Sequence, residues 1–309
     1  MRMNTLRSGF LILALASFGA HAEYQATSTS EAELDAMKLG TTDLDDIDQE
    51  ITNARMRADA GSRSRVSMST GLGYSGGSVK KPFDSERPNL SGDPSTETST
   101  DLSGSISARY RFNPRTSMTF GAGFGVLQPF HGAENFNIDN PGIGLNRAYR
   151  IGNFQTITSA GATWGTSESW KAANQKASVS ISHNMMTQIG NSGWTAGASI
   201  QVVNNFLSSF TPDDGDSDMR TDWRIGLYPQ LEYQFNDRYS ARTVFGYFNY
   251  YSFKNTDTFD FKNVFVYQSV GVGISVTRDI YLYPNVQFIP DNLSVDNTNV
   301  AISATINLF

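Results

Sequence analysis

The sequence predicts an all-β fold: a closed antiparallel barrel of about twelve strands, ten to fourteen being admissible, that crosses a membrane. Three observations predict it. Apolar and polar side chains alternate over unusually long stretches, short and long connections alternate along the chain, and an N-terminal export segment is followed by no second apolar run.

Residues 1–22 have the pattern of a secretory signal peptide. Arg2 and Arg7 precede the apolar run GFLILALASFGA (9–20), and Ala20-His21-Ala22 supplies small residues two apart. That run falls short of the ~20 residues a membrane helix needs, so cleavage after Ala22 is expected. The absence of Cys excludes a disulfide scaffold, a zinc-thiolate site and a lipidated cysteine terminus. A mildly acidic balance, 24 Lys and Arg against 30 Asp and Glu, argues against a nucleic-acid partner.

Residues 23–62 form an acidic, partly helical segment. Leu44, Ile47, Ile51 and Ala54 recur at three- and four-residue steps, the period of a helix, with Thr42 or Asp43 as its cap. The apolar stripe is thin. A periplasmic tether or a helix contacting another protein is one reading, and a plug entering the barrel is the other.

From residue 63 to 309 the period is two. In DWRIGLYPQLEYQF, Trp223, Ile225, Leu227, Leu231, Tyr233 and Phe235 share one face, and Asp222, Arg224, Gln230 and Glu232 the other. DLSGSISARYRF repeats this, with Leu102, Ile106, Ala108, Tyr110 and Phe112 opposite Asp101, Arg109 and Arg111. Strands are expected at 64–75, 100–112, 116–128, 141–151, 154–166, 176–188, 193–206, 222–235, 239–252, 263–277, 280–290 and 298–309. Short connections at 113–115, 152–153, 189–193, 236–237 and 278–279 alternate with long ones at 76–98, 129–140, 167–175, 207–221, 253–262 and 291–297. Arg147 falls on the apolar face of 141–151, which leaves ten strands and one long loop as an alternative. Tyr110, Phe112, Trp194, Trp223, Tyr233, Phe235, Tyr239 and Tyr251 suit an aromatic girdle at the lipid interfaces. A soluble sandwich would need shorter strands and a buried face richer in Leu, Ile and Val.

With the export segment, the alternating strands, the turn asymmetry and Phe309, residues 64–309 resemble the outer-membrane β-barrel proteins of Gram-negative bacteria, a porin-like superfamily. The resemblance implies a place in the bacterial outer membrane among lipid and lipopolysaccharide. It also implies a last strand read by the barrel-assembly machinery. One departure stands out. Val300, Ile302, Ala304, Ile306 and Leu308 form the apolar face of AISATINLF and its approach, while Phe309 lies opposite. Leu308 is therefore a second candidate for the outward terminal position, unless a bulge turns Phe309 outward.

No catalytic set emerges. GYSGG (73–77) matches G-x-S-x-G around Ser75 but ends a strand and runs into a loop, without the strand–turn–helix elbow. The mature chain's histidines, His131 and His183, fit an exposed loop and an outward interfacial position. Asp214, Asp216 and Asp218 resemble the start of a calcium loop, but Met219 and Ile225 stand where its Gly and Glu belong. No enzyme activity, cofactor or metal is expected.

The inward face carries the functional signal. Arg109, Arg111, Arg150, Lys176, Arg224 and Arg242 outnumber Asp101, Asp222 and Glu232 there, and rings of charge set pore selectivity. The expected function is passive passage of small hydrophilic solutes with a mild anion preference. The alternative is a closed structural or surface-recognition barrel acting through its external loops.

Overall fold

The structure, a computed structural model, describes residues 45–90, 98–132, 135–208, 220–253 and 260–308. Twelve long strands form the wall: β1 (Val66–Ser78), β4 (Asp101–Asn113), β5 (Thr116–Leu127), β6 (Asn135–Ile151), β7 (Phe154–Trp164), β8 (Gln175–Gln188), β9 (Trp194–Leu207), β10 (Thr221–Gln234), β11 (Tyr239–Phe253), β12 (Lys262–Ser275), β13 (Ile280–Phe288) and β14 (Asn299–Leu308). A two-stranded ribbon, β2 (Glu86–Arg87) with β3 (Thr98–Ser99), lies between β1 and β4. Two short helices, α1 (Asp45–Glu50) and α2 (Ala54–Ala60), precede the wall, and α3 (Glu168–Ala172) lies between β7 and β8.

Each wall strand pairs antiparallel with its chain neighbour, and β1 closes the ring against β14 with Met68 opposite Leu308 and Ser69 opposite Asn307. At the seam Ser69 Oγ donates to Asn307 Oδ1 at 2.6 Å. Closure leaves no unpaired edge, which a sheet surrounded by lipid requires. The wall is inside out relative to a soluble protein. Ile106, Phe120, Leu145, Ile181 and Phe235 stand exposed outside, while Ser67, Arg109, Gln155, Asn184, Gln230, Glu232 and Thr305 are buried inside. That inversion excludes the sandwich, whose apolar faces would be the buried ones.

Helices α1 and α2 lie inside the ring. They touch β6, β7, β12 and β13 and bond to side chains of β4, β8 and β10, contacts that no outside position could make together. The helical period seen in the sequence becomes two helices broken at Ile51–Asn53. Asn53 caps the second by accepting from Met56 N at 3.0 Å. Leu44 and the caps suggested at Thr42 and Asp43 lie outside the described residues, as does the acidic run Asp214–Asp218.

Three expectations change. β6 starts at Asn135, within the expected loop 129–140, because Phe136 and Ile138 already point outward; Pro141, which has no N–H to donate, sits where the register slips between Ala122 and Phe124. The ten-strand alternative fails: β6 and β7 pair without interruption from Ile151 opposite Phe154 to Gly142 opposite Thr163. Tyr251 leaves the girdle. A bulge in β11 between Gly246 and Asn249 reverses its faces, so Tyr251 is buried inward opposite Arg224. Other girdle positions face out as expected: Phe112, Trp194, Phe235 and Tyr239 are exposed, and Trp194 packs on Tyr233 with ring centres 4.9 Å apart.

Candidate functional site: the lumen and its helical insert

The short connections gather at one end of the barrel, the periplasmic end in outer-membrane barrels, and the lumen there is filled. Ile47, Ile51, Met56 and Ala60 of the insert form an apolar cluster with inward-facing Ala148 of β6, Ile157 of β7 and Met186 of β8. On the opposite wall Ala58 packs against Tyr281 and Tyr283 of β13.

Around these contacts runs a ring of polar anchors. Gln155 Oε1 accepts from Thr52 N at 2.8 Å and Asn53 N at 2.9 Å, and Asn53 Nδ2 donates to Glu232 Oε2 at 2.9 Å. Arg55, 1% exposed, donates to Gln230 Oε1 at 3.1 Å and Asn184 Oδ1 at 3.3 Å, with Asp59 3.8 Å away. Asn184 in turn donates to Asp59 Oδ2 at 2.9 Å, and Arg242 donates to Gln230 Oε1 at 3.0 Å. A guanidinium this deep is tolerable only because so many acceptors converge on it.

The C-terminus of α2 is held by two expected lumen residues. Helix ends leave carbonyls without intrahelical partners. Arg111 Nη2 donates to Ala60 O at 2.7 Å and Ser62 O at 2.6 Å, and Arg109 Nη1 donates to Ala60 O at 2.9 Å. Gly61 makes this approach possible. Its φ is 76°, and a Cβ there would lie 2.5 Å from Arg109 Cζ. At the periplasmic rim Arg278 and Arg63 clasp Asp48, Arg278 Nε donating at 2.7 Å, and Arg115 pairs with Glu50. Burial alone would raise the Asp48 carboxyl, but Arg278 and then Arg63 hold it below the usual carboxylate range.

The other end is built differently. A cavity of about 260 Å³ is lined by small inward residues, among them Ser105, Ser107, Gly121, Gly123 and Gly142, with Trp170 of α3 beside it. Lys176 is exposed at the start of β8. Arg224 lies over the Tyr251 ring at 5.8 Å, and Asp222 is its near neighbour on the same face of β10. Asp101 is buried and faces Arg87 at 3.6 Å. Asp139, set against Gly123, is a lumen acid that the sequence pattern put in a loop.

The expected lumen residues therefore divide. Arg109, Arg111, Arg242 and Glu232 converge on the insert; Asp101, Asp222, Arg224 and Lys176 stand toward the other mouth. Arg150 reaches the periplasmic rim, exposed, beside Glu50 and Arg115. Sequence reasoning missed Gln155, Asn184 and Gln230, and also Ala148, Ile157, Met186 and Tyr283. The apolar members carried a signal, since they stand on faces that are otherwise polar.

Ser75 and His183 do not meet. His183 is five strands from β1 around the wall and faces outward, its Nδ1 2.8 Å from Thr158 Oγ1. His131 Nε2 bonds to the Phe83 carbonyl at 2.7 Å. Among the described residues no group of His, Asp or Glu is placed to hold a metal.

A closed twelve-stranded wall with an apolar exterior and a polar interior defines an outer-membrane β-barrel protein. No family model matches the chain, and no curated protein matches it. Among solved structures it is similar to an outer membrane channel from Pseudomonas putida F1, at TM-score 0.53 and 13% identity over 81% of this chain and 98% of that one. Looser likenesses include the NanC porin (TM-score 0.44, 9% identity, 78% and 98% of the two chains) and the KdgM porin in complex with disordered oligogalacturonate (TM-score 0.41, 8%, 77% and 98%). At 13% identity the likeness to that channel is one of fold alone.

Proposed function

We propose that the protein is a passive outer-membrane channel for small hydrophilic solutes, with a mild anion preference, closed on the periplasmic side while α1 and α2 are seated. The carrying observation is the contrast within one lumen: a cavity lined by Gly and Ser leads to a seat whose occupant is held by noncovalent contacts alone. A bore of twelve strands is narrower than that of the 16- to 18-stranded porins, which favours small solutes. Departure of the insert would bare Arg109 and Arg111 to the path beside Glu232, with Arg242 still bonded to Gln230, a basic constriction that draws anions. At the other mouth Lys176, Arg224 and Arg87 are balanced by Asp222, Asp101 and Asp139, so the positive excess lies at the constriction.

Liposome swelling tests this reading. The chain from Glu23 should pass small sugars slowly, and a variant lacking residues 23–60 should pass them faster and favour small anions over cations of equal size. Heat-modifiable gel migration verifies that both barrels are folded. No flux from either overturns the channel. The buried seat also supports a closed structural or surface-recognition barrel; in that case changes in the external loops would abolish partner binding while changes in the lumen did nothing.

Leu308, exposed on the outer face of β14, is the residue we assign to the outward terminal position of the assembly signal, Phe309 lying outside the described residues. Leu308→Ser should then slow insertion by the barrel-assembly machinery.

A further inference from the structure

Arg147 stands outward on β6, exposed, and is the one Arg, Lys, Asp or Glu on the lipid-facing side of the wall strands among the side chains described. Such a charge is costly at the middle of a bilayer and nearly free of cost near its surfaces. The register places Arg147 opposite Thr116, the first residue of β5, and the Ala148 amide donates to Arg115 O of the adjoining turn at 2.8 Å. It therefore stands near the periplasmic surface of the membrane, at the depth of lipid headgroups.

Its neighbours form a constructed polar island. Arg147 Cζ is 5.9 Å from the centre of the Tyr149 ring; Tyr149 Oη lies 3.0 Å from Thr158 Oγ1, and Thr158 Oγ1 lies 2.8 Å from His183 Nδ1. Three strands are thus linked on their lipid side. Arg147, Tyr149 and Thr158 line a depression of about 640 Å³ that continues to Arg150 and Arg115 at the rim. Glu50 offsets the charge of Arg115, so the groove keeps a net positive charge from Arg147 and Arg150. Away from the rim the surface turns apolar, with Ile143, Leu145 and Ile181 exposed.

We propose that this groove binds an anionic phospholipid, its headgroup phosphate on Arg147 with Arg150 and the Tyr149 and Thr158 hydroxyls in support, and its acyl chains along Leu145 and Ile181. A second copy of the chain is a poorer occupant, since the wall strands offer no lipid-facing carboxylate to meet Arg147.

Native mass spectrometry of the detergent-solubilised chain, with dioleoylphosphatidylglycerol, dioleoylphosphatidylcholine or inorganic phosphate added, tests the assignment. Phosphatidylglycerol should be retained about thirtyfold better than phosphatidylcholine, as expected for two basic residues at a membrane surface. Arg147→Leu should cut that preference to about fivefold, the share left to Arg150, while the barrel stays folded by gel shift, Arg147→Lys should keep most of it, and excess inorganic phosphate should not displace the lipid. Equal retention of the two lipids, or an unchanged preference in Arg147→Leu, overturns the proposal. Displacement by inorganic phosphate would assign the groove to a free ion instead, and loss of a dimer in Arg147→Leu would assign it to a second copy; either outcome also overturns it.

Discussion

On β4, Arg109 and Arg111 near the periplasmic turn are buried beneath α2, whereas Ser105 and Ser107 farther along the same inward face border an open cavity with Gly121 and Gly142 nearby. The backbone is the same ladder in both places. Only the inward side chains differ: Arg, Gln, Asn, Met and Tyr at the periplasmic end build a socket, and Gly and Ser toward the other end leave space. A barrel of fixed circumference can thus be closed or open along its own axis according to what alternate residues project inward.

Five substitutions test that contrast. The largest effect is expected from Arg55→Ala, which strands Asp59 and Asn184 in the socket. Breaking a buried pair of this kind costs about 3–5 kcal/mol, and trypsin should cut at Arg57 at least a hundredfold faster once the segment leaves its seat.

Asp48→Asn comes next, at about 1.5–3 kcal/mol for charged hydrogen bonds at the rim, and it has a pH signature. Because Arg278 and Arg63 hold the Asp48 carboxyl low against its burial, its contribution is present above about pH 4 and lost as the pH falls through the lowered value. Asp59 acts in the opposite sense. Burial pushes it up to about 7 against the pull of Arg55, so its contribution is present at low pH and lost as the pH rises through 7. Open-channel current should therefore rise on both sides of a minimum near pH 4–5. Asp48→Asn should remove the acid limb, and Asp59→Asn the neutral one.

Gly61→Ala should cost about 1–3 kcal/mol, because φ 76° with ψ 178° is essentially a glycine-only conformation, with the Arg109 contact added. Its proteolysis rate should fall between those of wild type and Arg55→Ala. Gly125→Phe should leave stability nearly unchanged, because a Cβ there meets nothing within 4 Å. In the variant without residues 23–60 it should cut the open current, and in the full chain it should not alter cleavage at Arg57. A change in cleavage would couple the two halves that the structure separates.

The wall was legible in the sequence because lipid outside and water inside impose one rule on every second residue. Trp223 to Phe235 and Leu102 to Phe112 obey it without exception. Where a bulge intervenes the rule inverts silently, and Tyr251 stands on the face opposite to its sequence pattern because nothing local marks the extra residue. The start of β6 was hidden for a related reason: Pro141 and the polar run around Asp139 resemble a turn, and only pairing with β5 makes them strand. The socket was half legible. Ile47, Ile51 and Ala54 marked the helical face, but its complement is scattered over Ala148, Ile157, Met186 and Tyr283 on four strands, and only barrel closure brings them together.

On the proposed function, the helix pair closes an otherwise open pore. The most direct test is single-channel current in planar bilayers, comparing the chain from Glu23 with the variant lacking residues 23–60, both shown to be folded. The account predicts a low or flickering current for the first, and for the second a larger, steady current whose reversal potential in a salt gradient shifts toward anions. Equal currents with equal reversal potentials would contradict it.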